Sequence, residues 1–214
     1  MYLCWSVKGG SGTTVVAASL ALVLSHRRPT LLVDLAGDAP AALGMGEPAG
    51  PGVADWLASP TADAGALGRL ALPATATLQL LPRGSRPTGS STRWPALATA
   101  LAAHEATVVV DAGTGTPDAA LAAAATHRLL ITRPCYLGLR RAVAAEVQPT
   151  GIVLVTEPGR ALSGRDVERA LGAPVVAEVQ YDPAVARAVD AGLLASQLPR
   201  PLAQQLQAPL NEAA

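Results

Sequence analysis

Phenylalanine is absent from this chain of 214 residues, aromatic side chains make up only 3% of it, and there is a single lysine, Lys8. Arginine carries nearly every positive charge, and 16 basic residues balance 16 acidic ones, for a formal net charge of zero. No global field would hold such a protein on nucleic acid or an anionic membrane, so any binding of that kind has to be local. The two cysteines, Cys4 and Cys135, lack metal-ligand spacing and the density of a disulfide scaffold, which points to a reduced, cytoplasmic setting. No apolar stretch reaches roughly 18 residues free of Pro, Gly and charge, and the start of the chain has no basic leader. The expectation is a protein neither secreted nor inserted in a membrane. His26, His104 and His127 stand apart without the paired spacing of a metal site, and no Gly-x-Ser-x-Gly elbow occurs.

The one lysine sits in Val7-Lys8-Gly9-Gly10-Ser11-Gly12-Thr13-Thr14, between the apolar run Tyr2 to Val7 and the run Val15 to Leu24. The first run is short and rich in strand formers, and the second reads as a buried helix. Strand, glycine turn and helix form the setting in which a backbone cradles phosphate. Glycines take positive φ and allow close approach, and N–H groups at the helix start point at the oxygens. The ordinary motif, Gly-x-x-x-x-Gly-Lys-Ser/Thr, is not met: aligned on Gly12, Val7 stands for the first glycine and Thr13 for the lysine. Thr14 keeps the slot whose hydroxyl ligates magnesium, and Lys8 has moved to the front. Taken alone, the loop could equally be a glycine turn without a ligand.

Further short apolar runs recur at Thr30 to Asp34, Leu78 to Leu81, Ala106 to Asp111, Arg128 to Thr132, Gly151 to Val155 and Pro174 to Val179. Helix patterns alternate with them, over Pro51 to Ala58, Ser91 to Ala103, Asp118 to Ala125, Leu137 to Val147, Ser163 to Leu171, Pro183 to Ala191 and Leu202 to Gln207. Continuously apolar strands are buried on both faces. With helices between them they predict an α/β fold: a doubly wound, mostly parallel sheet of seven to eight strands with helices on both faces. The length suits one such domain over 1–214. Gly37 to Gly52 and Pro82 to Ser91, dense in turn formers, read as loops. In such sheets ligands gather at the carboxyl ends of the strands, where the glycine loop, Asp34 and Asp111 all fall.

With these pieces in order, the chain resembles the ParA/MinD group of P-loop ATPases, whose deviant Walker A loop reads Lys-Gly-Gly-x-Gly-Lys-Thr-Thr; here the segment is Lys8-Gly9-Gly10-Ser11-Gly12-Thr13-Thr14. Val33-Asp34 is similar to the group's switch I strand end, and Val109-Val110-Asp111 with Gly113-Thr114-Gly115 to its Walker B and switch II segment. Tyr181-Asp182-Pro183 through Gly192 resembles its closing segment. A small residue in place of the loop lysine, Gly37-Asp38, and Gly52 to Leu57 are similar to the CpaE/TadZ branch of pilus-assembly localisation factors.

The resemblance implies ATP or ADP with Mg²⁺ as cofactors and a homodimer closed around the nucleotide. Lys8 would reach the partner's phosphates, while Gly9, Gly10, Ser11, Gly12, Thr13 and Thr14 would cradle them. Thr14 and Asp111 would hold Mg²⁺, Asp34 and Asp111 would serve catalysis with Lys8, and Asp182 and Pro183 would pass over the base. Ala36 stands where the group has the aspartate that orients the attacking water, so slow or absent hydrolysis is expected. Thr156 stands where the group commonly selects adenine with asparagine, which leaves base choice loose. The branch implies a protein partner in a positioning or pilus-secretion system. Two other readings stay open. One is an active partition ATPase binding DNA nonspecifically through Arg140-Arg141 and Arg165 with Arg169, although Glu146, Asp166 and Glu168 interleave with them. The other is a scaffold that has lost the nucleotide. Leu202 to Gln207 carries no Lys or Arg, unlike the basic tail MinD uses on membranes, so no direct membrane insertion is expected.

Overall fold

A computed structural model describes residues 1–207. Eight strands among them form one sheet: β1 (Tyr2–Ser6), β2 (Thr30–Asp34), β3 (Leu72–Pro73), β4 (Leu78–Leu81), β5 (Thr107–Thr114), β6 (His127–Thr132), β7 (Gly151–Thr156) and β8 (Val175–Gln180). Their spatial order is β3-β4-β2-β5-β1-β6-β7-β8. All neighbours pair in parallel except the two-residue β3, which runs antiparallel to β4 at one edge. The helices are α1 (Thr13–Ser25), α2 (Ala39–Leu43), α3 (Val53–Ala58), α4 (Ala64–Gly68), α5 (Trp94–Ala102), α6 (Ala119–Ala124), α7 (Tyr136–Val143), α8 (Gly164–Leu171), α9 (Pro183–Asp190) and α10 (Arg200–Gln205).

The pleat of β1 divides the core, with Tyr2 and Cys4 facing one layer and Leu3 and Trp5 the other. On the first side lie α1, α2 and α10; on the second lie α3, α4, α5 and α6. Both faces are therefore covered, which is why the strands could be apolar throughout. Helix α1 is buried almost all round, because the sheet covers one flank and α2 and α10 the other. Its fully buried Leu20 and Leu24 each contribute about 2 kcal/mol of transfer free energy.

One element differs from the loop reading of Gly37 to Gly52. Helix α2 forms inside it, opened by Pro40 and ended by Gly44 at φ 76°, with Ala39, Pro40, Ala42 and Leu43 buried. Five residues are too few for periodicity to show, and packing against α1 supplies what propensity does not. Helix α4 is likewise short, capped by Asp63, which accepts from the Ala66 N–H at 2.6 Å. Strand β5 runs on to Thr114, three residues past Asp111, with an irregularity opposite Cys4 to Ser6.

Strand β1 lies between β5 and β6. The chain moves from β1 toward β2 on one side and from β5 across β1 to β6 on the other, so the winding reverses at β1. A crevice opens at the carboxyl end of such a strand.

Candidate functional site

The loop after β1 fills that crevice's floor. The Ser11 hydroxyl donates to the Lys8 carbonyl at 2.7 Å, the Ser6 hydroxyl donates to the same carbonyl at 3.2 Å, and the Gly115 N–H ties the loop to β5 through the Ser6 carbonyl at 2.8 Å. Gly10 at φ 77° and Gly12 at φ 88° hold left-handed conformations that admit glycine readily. A Cβ added at Gly9, Gly10 or Gly12 would meet nothing within 4 Å, so the space before the loop is open. Gly12 starts α1 without a side-chain cap, and no acidic residue sits in the first turn. The N–H groups there are left for an anion, with the helix dipole behind them.

Opposite the loop lies a cavity of about 490 Å³ lined by Gly10 to Thr14, Ala36, Asp38, Arg83 and Gly113. Asp111, which precedes the lining residues Ala112 to Thr114, is fully buried on β5 and in register with Asp34 on β2. Asp111 accepts from the Gly113 N–H at 2.9 Å, but its Oδ2 has no hydrogen-bond partner among the described residues. Burial pushes its carboxyl up to about 6; the Thr14 hydroxyl and Gly113 N–H oppose the rise, and the Asp34 and Asp38 carboxylates add to it. An orphaned, desolvated carboxylate oxygen beside a hydroxyl is a fit for a hard cation with oxygen ligands. Among the described residues no group of three or more His, Cys, Asp or Glu could hold a metal ion. Mg²⁺ in this site must therefore bring most of its oxygens with it, as phosphate or water.

Asp34 is also buried, but both its oxygens are engaged: Oδ1 accepts from the Gly37 N–H at 2.6 Å and Oδ2 from the Ala39 N–H at 3.1 Å. It shapes the turn into α2. Burial raises its pKa, opposed by these amides and by the charge of Arg83. Lys8 stands at the start of the loop, its exposed Nζ donating to the Gly9 carbonyl at 3.4 Å. No carboxylate comes within 4.0 Å of it among the described residues.

The other end of the loop opens on a mostly apolar cavity of about 310 Å³, bounded by Gly10, Val15, Val155, Arg133, Tyr181 and Asp182. Asp182 caps α9, accepting from the Ala184 N–H at 2.7 Å, and Pro183 occupies the first turn. Pro183 borders a separate hollow of about 160 Å³ beside α10. Thr156 ends β7, and its carbonyl accepts from the Tyr181 N–H at 2.8 Å. On α8, Arg169 pairs with Asp166 at 3.7 Å.

The loop, Thr14, Asp34 and Asp111 thus lie together at one edge of the sheet, while Asp182 borders the neighbouring apolar cavity from a capping position. Sequence reasoning missed Arg83, Arg133 and Tyr181. Each follows the last residues of a strand, so the rule that ligands sit at strand carboxyl ends could have found them.

No family model matches this chain, and no curated protein matches it in sequence. Solved structures do match in three dimensions. A ParA family ATPase from Chlorobium tepidum is 20% identical, with 97% of this chain and 96% of that one covered at a TM-score of 0.76. The septum site-determining protein MinD from Pyrococcus horikoshii, complexed with Mg-ADP, is 19% identical over 99% and 95% of the two chains at 0.77. MinD in a MinC:MinD cell division complex from Aquifex aeolicus is 16% identical over 100% and 96% at 0.75. The eight-stranded, doubly wound architecture is the fold of the ParA/MinD P-loop ATPases.

Proposed function

We propose that this chain binds ATP with Mg²⁺ in the crevice at the end of β1 and acts as a positioning factor of ParA/MinD type. In this reading it pairs with a second copy around the nucleotide and hydrolyses it slowly or not at all, as in the CpaE/TadZ branch. The observation that carries the reading is Asp111, buried with one oxygen unpartnered beside Thr14 and the uncapped start of α1. A folded protein tolerates such a group where a ligand completes it. Thr14 and Asp111 would hold Mg²⁺, which when bound neutralises phosphate charge. The backbone of Gly9 to Thr14 grips the phosphates, and the apolar hollow by Val155 and Tyr181 receives the base.

Slow turnover follows from what faces the cavity on the β2 side. Ala36 has no group to orient water, and Asp34 spends both oxygens on backbone amides. Lys8, exposed and without a carboxylate partner among the described residues, is available to reach a second copy's phosphates. The MinD structures, one with Mg-ADP and one with MinC, make a nucleotide and a protein partner the natural pair to test.

Sedimentation of the purified protein with and without MgATP, run beside phosphate release, tests the reading. Expected are a nucleotide-dependent dimer and turnover well below about 1 s⁻¹, the low end of ordinary enzyme rates. Rapid turnover abolished by Asp111→Ala would contradict the slow-hydrolysis part, and a species unchanged by nucleotide would contradict the dimer.

A further inference from the structure

The cavity contains a cation that the sequence motif does not announce. Arg83 follows Pro82 at the carboxyl end of β4, on the same edge of the sheet as the glycine loop. Its main chain is clamped. The Val53 N–H donates to the Pro82 carbonyl and the Ala54 N–H to the Arg83 carbonyl, each at 2.9 Å, so the first turn of α3 grips the turn after β4. Asp55 reinforces the clamp, with its Oδ2 accepting from the Gly52 N–H at 2.9 Å and the Ser85 N–H at 3.2 Å. Gly52 and Gly84 approach so closely that a Cβ on either would collide with the other's backbone.

From this fixed base the side chain reaches the turn that follows β2. Its guanidinium lies over Gly37, where a Cβ would collide with it, and Nη1 donates to the Ala36 carbonyl at 2.6 Å. The Nε is buried without a partner, and no carboxylate lies within 4.0 Å of the guanidinium among the described residues. One of the five donors is used, and Arg83 lines the same cavity as Gly10 to Thr14. Arg133, the corresponding cation on the base side, is different, being paired with Glu157. A half-buried arginine held in one pose with unused donors is built for an oxyanion, for which its planar fork suits phosphate.

We infer that Arg83 supplies from the end of β4 the cation that Thr13 no longer provides, and that it takes the terminal phosphate of a nucleoside triphosphate seated on the Gly9–Thr14 loop. The inference rests on the nucleotide reading of this cavity. It adds a specificity: because Arg83 stands on the Ala36 and Gly113 side, it discriminates triphosphate from diphosphate.

Fluorescence titration with N-methylanthraniloyl ATP and ADP, each with Mg²⁺, tests it on the unchanged protein and on Arg83→Met, Arg83→Lys, Thr13→Lys and the Arg83→Met/Thr13→Lys pair. Arg83→Met is expected to weaken ATP roughly tenfold to a hundredfold, the worth of a charge-assisted contact, and ADP much less. Thr13→Lys should restore most of that loss in the double variant and add less to the unchanged protein, since the two cations serve one phosphate. Arg83→Lys keeps the charge without the fork and should fall between. Should Arg83→Met melt early without nucleotide, the ATP-to-ADP ratios of Arg83→Lys and Thr13→Lys decide in its place. An Arg83→Met protein that binds both nucleotides as tightly as the unchanged one overturns the inference alone. An unchanged protein that binds neither nucleotide overturns the nucleotide reading and the inference with it.

Discussion

Replacing Asp111 by asparagine should make the metal-free, nucleotide-free protein more stable at neutral pH, although it removes the carboxylate proposed to hold Mg²⁺. Burial lifts the Asp111 carboxyl from an ordinary value of 3.8 to about 6. An acid whose folded pKa is raised binds more protons folded than unfolded between those values. Its contribution to stability is thus intact below about pH 4 and lost as the pH rises through 6. The difference of about two units, at about 1.4 kcal/mol each, sets the ionisation penalty near 3 kcal/mol at pH 8. Asparagine keeps an oxygen to accept from the Gly113 N–H and offers an amide toward Thr14 without taking a charge out of water. For a chain of this size about 1 kcal/mol moves the melting temperature by roughly 2–4 °C, so a rise of about 6–12 °C is expected at pH 8. Scanning calorimetry in chelator at a series of pH values measures it, and the increment should shrink toward zero as the pH falls from 6 to 4. A variant no more stable than the parent at pH 8, or an increment independent of pH, would refute the reasoning. Under the proposed function the gain should come with loss of Mg²⁺-dependent nucleotide binding.

Gly44→Ala should cost at least about 2 kcal/mol, because φ 76° disfavours a side chain and the new methyl would collide with the Gly192 carbonyl; Gly9→Ala, facing open space, should leave the thermal midpoint unchanged. Equal melting of the two variants would show that the contact between α2 and the end of α9 is unimportant. Asp182→Ala removes the cap of α9 and should lower stability by about 1 kcal/mol in urea titration; a loss beyond about 2 kcal/mol would mean that the carboxylate does more than cap. Titration with Mg²⁺ alone should give no saturable binding at Asp111 and Thr14, since the described residues offer too few ligands, and tight binding of free metal would contradict the site as drawn.

The seven parallel strands were readable because burial on both faces leaves a chemical trace, a continuous apolar run, whereas the two-residue, partly exposed β3 leaves none. Asp111 and Thr14 were readable because the spacing of loop, strand and glycine is local. Asp34 was legible as a position but not as a role. Whether a carboxylate at a strand end faces a ligand or its own backbone depends on the path of the next few residues, and here the Gly37 and Ala39 amides turn back onto it. Arg83 was illegible for a different reason. Pro82 to Ser91 has the composition of any surface loop, and its first residues are rigid only because the start of α3, thirty residues upstream by chain, meets them through Gly52 and Gly84. Helix α2 was missed because five residues carry no period.

Isothermal calorimetry of the unchanged protein with ATP at millimolar concentration in the presence of Mg²⁺ tests the central claim, that backbone amides and Asp111 still hold a nucleotide after the loop lysine has gone. The account predicts a saturable heat with a dissociation constant of roughly tens of micromolar to a millimolar, and little heat when Mg²⁺ is chelated. Absence of heat with ATP, ADP and GTP alike, at every Mg²⁺ concentration, would contradict it.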